Sequence, residues 1–283
     1  LTPAEREAIG ALAGAAVLDA SPLAGGCIGE VFRLELADGR RLVAKTAGPD
    51  GTLDIEGYML GYLADTGTVP VPGVVHAAPD LLLMDFIETS GGLDAAAQEH
   101  AADLLAALHG VTADAFGHER DTLIGPLAQP NPWTASWIEF FRDQRLIYMG
   151  RLALESGRLP AGTFARLEKF CAKLDAHIEE PPRPSLIHGD MWGGNVLTRD
   201  GRIAAFIDPA IHHADAEIEL AFATLFNTCG EPFFRRYAEH RPIAPGFFET
   251  RRDIYNLYPL LVHTHLFGGH YAQSVDAILR RFT

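Results

Sequence analysis

An aspartate, an asparagine five residues later and a second aspartate across a hairpin stand out in this 283-residue chain: Asp190, Asn195 and Asp208. The first two lie in Leu186-Ile-His-Gly-Asp-Met-Trp-Gly-Gly-Asn-Val-Leu197. The third lies in Ile203-Ala-Ala-Phe-Ile-Asp-Pro-Ala210, and Arg199-Asp-Gly201 reads as the turn that brings it back. A carboxylate such as Asp190 can take the proton of an attacking hydroxyl. The oxygens of Asn195 and Asp208 suit Mg²⁺, a hard cation held by one or two carboxylates together with phosphate and water. The chemistry these types and spacings fit is phosphoryl transfer from a nucleotide to a hydroxyl. His-Gly-Asp alone would also suit a tight turn between strands. The full spacing, with its hairpin and second aspartate, argues against that simpler reading.

Such a site needs groups that hold the nucleotide. Ser21-Pro-Leu-Ala-Gly-Gly-Cys-Ile-Gly-Glu30 places Gly25, Gly26 and Gly29 in a loop between two β-like runs, where backbone N–H groups could approach a phosphate, although many β-hairpins are equally glycine-rich. It lacks the Gly-Lys-Ser/Thr of a Walker loop. Val43-Ala-Lys45 resembles the kinase strand whose lysine meets the nucleotide phosphates. A helix expected near 53–64 offers Glu56 to pair with Lys45, with Asp54 as the alternative. Leu81–Ile87 reads as an apolar strand leading to a lobe boundary at Ser90-Gly-Gly92. In a bilobal kinase such a strand leads into the interlobe hinge, where backbone groups recognise adenine, and by that resemblance Asp85, Phe86 and Ile87 would do so here.

The bulk numbers are consistent with such an enzyme. With 48% hydrophobic residues the chain can build two lobes with real cores. A net charge of -14 disfavours nucleic acid and anionic membrane as partners. Cys27, Cys171 and Cys229 are widely spaced, without a CxxC pair, which predicts a reducing compartment. No apolar run approaches a membrane span and no signal peptide is visible, so a cytoplasmic location is expected.

The remaining elements are coarse. Thr2-Pro-Ala-Glu5 is a capping box that opens a helix ending near Gly14. Val74–Ala77 reads as a strand and Leu93–His109 as an amphipathic helix. Residues 110–132 read as an irregular stretch. Trp133–Leu154 and Ala161–Ile178 read as long helices, and the chain beyond Ala214 as mostly helical.

At this length of match a family can be named. The chain resembles the fructosamine (ketosamine) kinases, a branch of the aminoglycoside-phosphotransferase-like, protein-kinase-like fold. Gly25-Gly-Cys-Ile28 is similar to that family's glycine loop. Gln129-Pro-Asn131 with Trp137-Ile-Glu-Phe-Phe-Arg-Asp-Gln-Arg-Leu146 resembles its Q-x-N…W…F-F…R-L signature. His188-Gly-Asp-Met-Trp-Gly-Gly-Asn195 is similar to H-G-D-L-W-x-G-N, with Met191 for Leu, and Ile207-Asp-Pro-Ala210 to I-D-P-A. Tyr255-Asn-Leu-Tyr-Pro-Leu-Leu-Val-His263 and Leu266-Phe-Gly-Gly269 fit its C-terminal signature. Two departures, Ile211-His-His-Ala-Asp215 and Gln129-Pro-Asn131, are expected near the acceptor pocket.

The resemblance implies an α+β fold of two lobes, a small β-rich N-lobe over residues 1–89 and a larger, mostly helical C-lobe over 90–283. It implies ATP and Mg²⁺ as cofactors and phosphorylation of the 3-hydroxyl of a ketosamine, for repair of glycated proteins or small amines. Asp190 would be the base, Asn195 and Asp208 the metal ligands, Lys45 and Glu56 the phosphate anchor. Trp192 would either stack on the sugar or its amine or serve as an ordinary core tryptophan. The alternatives within the fold are kinases of an aminoglycoside, choline or a homoserine-type alcohol. A pseudokinase would lack Lys45, Asp190 or Asp208, and all are present. His212-His213 and His263-x-His265 lack a confirming metal-ligand pattern. The expected assembly is a monomer, or a redox-linked dimer through Cys27, the one cysteine inside the glycine loop.

Overall fold

The computed structural model describes residues 1–23 and 29–282. Helix α1 (Pro3–Ala13) starts on the Thr2/Glu5 capping box and stops at Gly14, whose φ of 73° no β-carbon favours. Strands β1 (Val17–Pro22), β2 (Glu30–Leu36) and β3 (Arg41–Thr46) follow, then α2 (Leu53–Thr66), β4 (Val74–Ala78) and β5 (Leu81–Asp85). The five strands form one antiparallel sheet in the order β1-β2-β3-β5-β4.

Strand alternation decides what β3 offers to each side. Leu42 and Ala44 join Phe32, Leu34, Leu36 and Leu83 in a core under α1. Val43, one residue out of phase, packs with Leu82, Met84 and the α2 residues Leu53 and Leu60. Lys45 shares the Val43 face, so it is aimed at α2.

Ser90 ties the connecting segment to the second region. Its N–H donates to Thr198 O at 2.9 Å and its hydroxyl to Asp200 at 3.0 Å. Helix α3 (Ala95–Leu108) follows, capped by Asp94. A small hairpin, β6 (Thr122–Ile124) and β7 (Leu127–Gln129), comes next. Helix α4 (Trp137–Phe140) runs through a π-helical stretch (Phe141–Ile147) into α5 (Tyr148–Glu155), and α6 spans Ala161–Cys171. Strand β8 (Ser185–Ile187) precedes the hairpin of β9 (Val196–Arg199) and β10 (Arg202–Phe206). Strand β11 (His212–Ala214) pairs antiparallel with β8. Helices α7 (Ala216–Leu225), α8 (Glu231–His240), α9 (Arg252–Phe267) and α10 (His270–Phe282) complete the chain. Their apolar faces join one large core around Trp137, Phe140, Phe141, Tyr255 and Leu261. No described helix is long and apolar enough to cross a membrane.

This is the α+β fold that the sequence implies, a β-sheet region followed by a helical one. Several local expectations need correction. Residues 110–132 are not uniformly irregular, since they hold the β6–β7 hairpin. The helix expected from Trp133 starts at Trp137, where Ser136 accepts the Glu139 N–H. Its middle is π-helical, and that widened turn carries the buried Arg145. The helix expected to reach Ile178 ends at Cys171, and the apolar strand expected to Ile87 ends at Asp85.

Candidate active site

The loop after β8 crosses the segment after β10 at very close range. Gly189 sits at φ 87°, and a β-carbon there would lie 2.2 Å from Ala210 O. Only glycine permits that crossing. It is fastened by Ala210 N–H donating to His188 O at 2.7 Å. One residue on, the Asp190 carboxylate accepts from Asn195 Nδ2 at 2.9 Å, while the same nitrogen donates to Asp190 O at 3.0 Å. Both amide hydrogens of Asn195 are thereby used, and its side-chain oxygen is left as an acceptor.

Asp208 arrives through the β9–β10 hairpin. Asp200 and Gly201 at its tip have φ of 52° and 72°, the positive pair of a type I′ turn. Asp208 is itself at φ 52°, an uncommon conformation for a residue with a side chain. The Ile207 N–H donating to Asn195 O at 3.1 Å helps hold it there.

Lys45 reaches across from β3. Its Nζ lies 2.7 Å from Glu56 Oε1 and 2.5 Å from Asp208 Oδ1. Lys45 and Glu56 are both buried. Burial alone would weaken the lysine's hold on its proton, but the two carboxylates outweigh it and raise the pKa, so the ammonium is kept charged. Burial, reinforced by Asp208 and Glu219 and opposed by the Asn195 hydrogen bond, pushes the Asp190 carboxyl up to about 7.

A buried carboxylate behind the loop supports it. Glu219, on α7, accepts the backbone N–H groups of His188 at 3.2 Å and Gly189 at 2.7 Å. It also meets His109 Nε2 at 2.8 Å, and His109 Nδ1 meets the Tyr237 hydroxyl at 2.7 Å. Burial pushes the Glu219 carboxyl up, but these donors more than reverse that and hold it below the usual range. Sequence reasoning missed this network, because each member reads as one polar residue on a helix.

Lys45, Glu56, Asp190, Trp192, Asn195 and Asp208 all line one cleft. Gly25, Gly26, Cys27 and Ile28 lie outside the described residues. Of the adenine segment, the Asp85 N–H already donates to Gly73 O at 2.9 Å and the Phe86 N–H to Arg41 O at 3.2 Å. Those two donors are therefore already used within the protein. Cys171 and Cys229 are buried and burial pushes both thiols up to about 12, so neither is a reactive thiolate.

A second cavity, of about 620 Å³, opens beside Asp190 and Trp192. Neither sequence departure expected near the acceptor lines it. Gln129 and Asn131 are buried behind, where both donate to the Thr122 hydroxyl at 2.8 Å. Gln129 also donates to Ala210 O at 3.0 Å and accepts from the Tyr258 hydroxyl at 2.6 Å. Arg145 donates to Asn131 Oδ1 at 2.5 Å and lies over the Phe140 and Tyr258 rings. His212 and His213 are buried in β11. His263 Nδ1 meets Pro259 O at 2.8 Å and His265 Nδ1 meets Leu152 O at 3.0 Å. Among the described residues no three His, Cys, Asp or Glu side chains are grouped to hold a metal. That is compatible with Mg²⁺, which takes one or two protein oxygens and fills the rest with phosphate and water.

Known proteins resemble this chain over most of its length. The fructosamine kinase family profile matches residues 6–283. The probable ketoamine kinase of Synechocystis sp. is 32% identical over 266 residues, covering 92% of this chain and 88% of that protein. The chloroplastic protein-ribulosamine 3-kinase of Oryza sativa subsp. japonica is 32% identical over 270 residues, covering 92% and 77%. The crystal structure of a candidate fructosamine-3-kinase from Thermobifida fusca superposes with a TM-score of 0.87 at 33% identity, covering 97% of this chain and 96% of that one.

Proposed function

The chain belongs to the fructosamine kinase family, and on that premise we propose that it phosphorylates the 3-hydroxyl of a ketosamine, in the repair of glycated proteins or small amines. Membership makes it an ATP-dependent phosphotransferase acting on an alcohol group. The observation that carries the finer reading is the placement of Asp190 and Trp192. Both line the cleft that holds Lys45 and Asp208, and both line the larger cavity next to it. A hydroxyl entering from the cavity meets the carboxylate at the place where phosphates enter from the other side.

In this reading residues 1–89 hold the nucleotide and residues 90–283 hold the acceptor. Asp190 orients the sugar hydroxyl and takes its proton as the oxygen attacks phosphorus. The Asn195 amide fixes the carboxylate for that task. Lys45, kept charged by Glu56, steadies the phosphates. The free oxygen of Asn195 and the carboxylate of Asp208 would hold Mg²⁺, which supplies neutralisation of phosphate charge when bound. Trp192, 45% exposed, presents an aromatic face where the sugar enters.

The test is direct. Incubate the protein with Mg·ATP and fructosyl- and ribulosyl-amines, then follow ADP formation, a sugar-phosphate signal by ³¹P NMR and release of the amine. Phosphorylation without amine release would place the phosphate on a different hydroxyl. Phosphorylation of choline or an aminoglycoside in preference to every ketosamine would overturn the reading.

A further inference from the structure

Resting on the ketosamine reading, we propose that the cavity beside Asp190 selects acceptors whose amine bears an apolar substituent and no second charge. His263 lies at the centre of the aromatic part of its wall. The ring centroids of Phe226, Phe267 and Tyr271 are 5.0, 5.6 and 5.0 Å from the His263 ring. Phe222 extends the wall, 6.2 Å from Phe226, and Trp192 completes the lining. Helices α7, α9 and α10 and the loop after β8 all contribute, so the wall belongs to the fold and not to one segment.

The charge content of this wall is low. Among the described residues Asp190 is the only carboxylate lining the cavity, and no Lys or Arg lines it. His263 adds no fixed charge. Its Nδ1 is held by the Pro259 carbonyl at 2.8 Å, so that nitrogen is the donor and Nε2 is left as an acceptor. Burial also lowers its pKa and favours the neutral ring.

A ketosamine carries one secondary amine, which is protonated near neutral pH. Aromatic faces attract a single ammonium through their quadrupole. A neutral imidazole nitrogen can accept one of its N–H hydrogens. The apolar substituent on that amine then buries against Phe226, Phe267 and Tyr271. A second ammonium would lose water and find only the carboxylate of Asp190, the proposed base, and a carboxylate would find no Lys or Arg among the described lining residues. Polycationic acceptors such as aminoglycosides need several carboxylates, and among the described residues the only one lining the cavity is the proposed base. A volume of about 620 Å³ has room for a sugar and a ring-sized substituent.

The experiment compares kcat/KM with Mg·ATP for the fructosyl adducts of benzylamine, putrescine and glycine. The benzylamine adduct is expected to exceed each of the other two by about tenfold or more. Phe267 is 59% exposed, so Phe267→Ala tests the wall without emptying a core. It should shrink that ratio chiefly through KM for the benzylamine adduct. Equal kcat/KM for the three adducts, or preference for a charged one, would overturn the inference and leave the ketosamine reading standing. So would an unchanged ratio in Phe267→Ala. Turnover of none of the three while an aminoglycoside is phosphorylated would overturn both.

Discussion

Glu219 Oε1 accepts the backbone N–H of Gly189 at 2.7 Å, one residue before the proposed base Asp190. Glu219 is therefore a positioning residue. It binds the loop by its backbone. Glu219→Ala would leave two buried N–H groups and His109 without their shared acceptor. The expected loss is about 3–5 kcal/mol of stability, the usual result of removing one partner of a buried pair. Urea unfolding would show it. Glu219→Gln retains an acceptor oxygen and should recover part of the stability with a lowered kcat. If both variants kept wild-type midpoint and turnover, the loop would have to be held by something else.

Asp190→Asn should leave nucleotide affinity nearly intact and lower kcat by about 10²–10⁴, since the carboxylate acts in the transition state and not in ground-state binding. Steady-state kinetics and calorimetry with ATP separate the two effects. Turnover close to wild type would remove Asp190 from its role as base.

Asp208→Ala should weaken Mg·ATP binding by about tenfold or more while affinity for metal-free ATP holds. The second half of the prediction follows from the Lys45 contacts. Removing Asp208 leaves the lysine paired with Glu56 and frees it from a competing carboxylate. Parallel titrations with and without Mg²⁺ would check it. Equal weakening in both would mean that the residue acts on the lysine alone.

The residues that line the candidate site were legible in the sequence because their types and spacings are narrow. A proton acceptor, an amide oxygen and a second carboxylate must fall at fixed offsets around tight turns, and Gly189 marks the crossing. The Lys45–Glu56 pairing was legible because strand alternation and an adjacent helix leave few candidates. The supporting layer was not. Glu219 and His109 meet across 110 positions, and each alone resembles a charge on a solvated helix face. The β6–β7 strands are three residues each, too short to show a period. The aromatic wall is assembled from three helices, so no local pattern announces it. The π-helical turn at Arg145 breaks the helical period over a few residues only, and the pattern on either side still reads as one helix.

Gly189→Ala should be more disruptive than any change on the exposed face of the loop. The added carbon would need both a positive φ and a 2.2 Å approach to a backbone oxygen. Backbone cannot swing aside as a side chain can, so the two crossing segments must separate. The expected readout is a lowered kcat together with a lower thermal midpoint, by several degrees for about 2 kcal/mol in a chain of this size. Retention of both would show that the crossing relaxes freely.

Asp215 gives a stability profile whose sign can be worked out. It caps α7 by accepting the Glu217 N–H at 3.0 Å and accepts the Tyr255 hydroxyl at 2.6 Å. Burial, aided by the nearby Glu217 charge and opposed by Tyr255 and Arg251, pushes its carboxyl from 3.8 up to about 6. The folded state thus holds this proton more tightly than the unfolded chain. Its contribution is fully present below pH 3.8 and is lost as pH rises through about 6. Asp215→Asn keeps a neutral group that can still accept a hydrogen bond and has no proton to lose. The stability of wild type relative to Asp215→Asn should therefore fall by about 2 kcal/mol between pH 4 and pH 8. Urea unfolding of both proteins across that range measures the difference directly, and groups common to both cancel. A flat difference would mean that Asp215 titrates as an ordinary carboxylate. A rising one would mean that Arg251 holds it ionised in the fold.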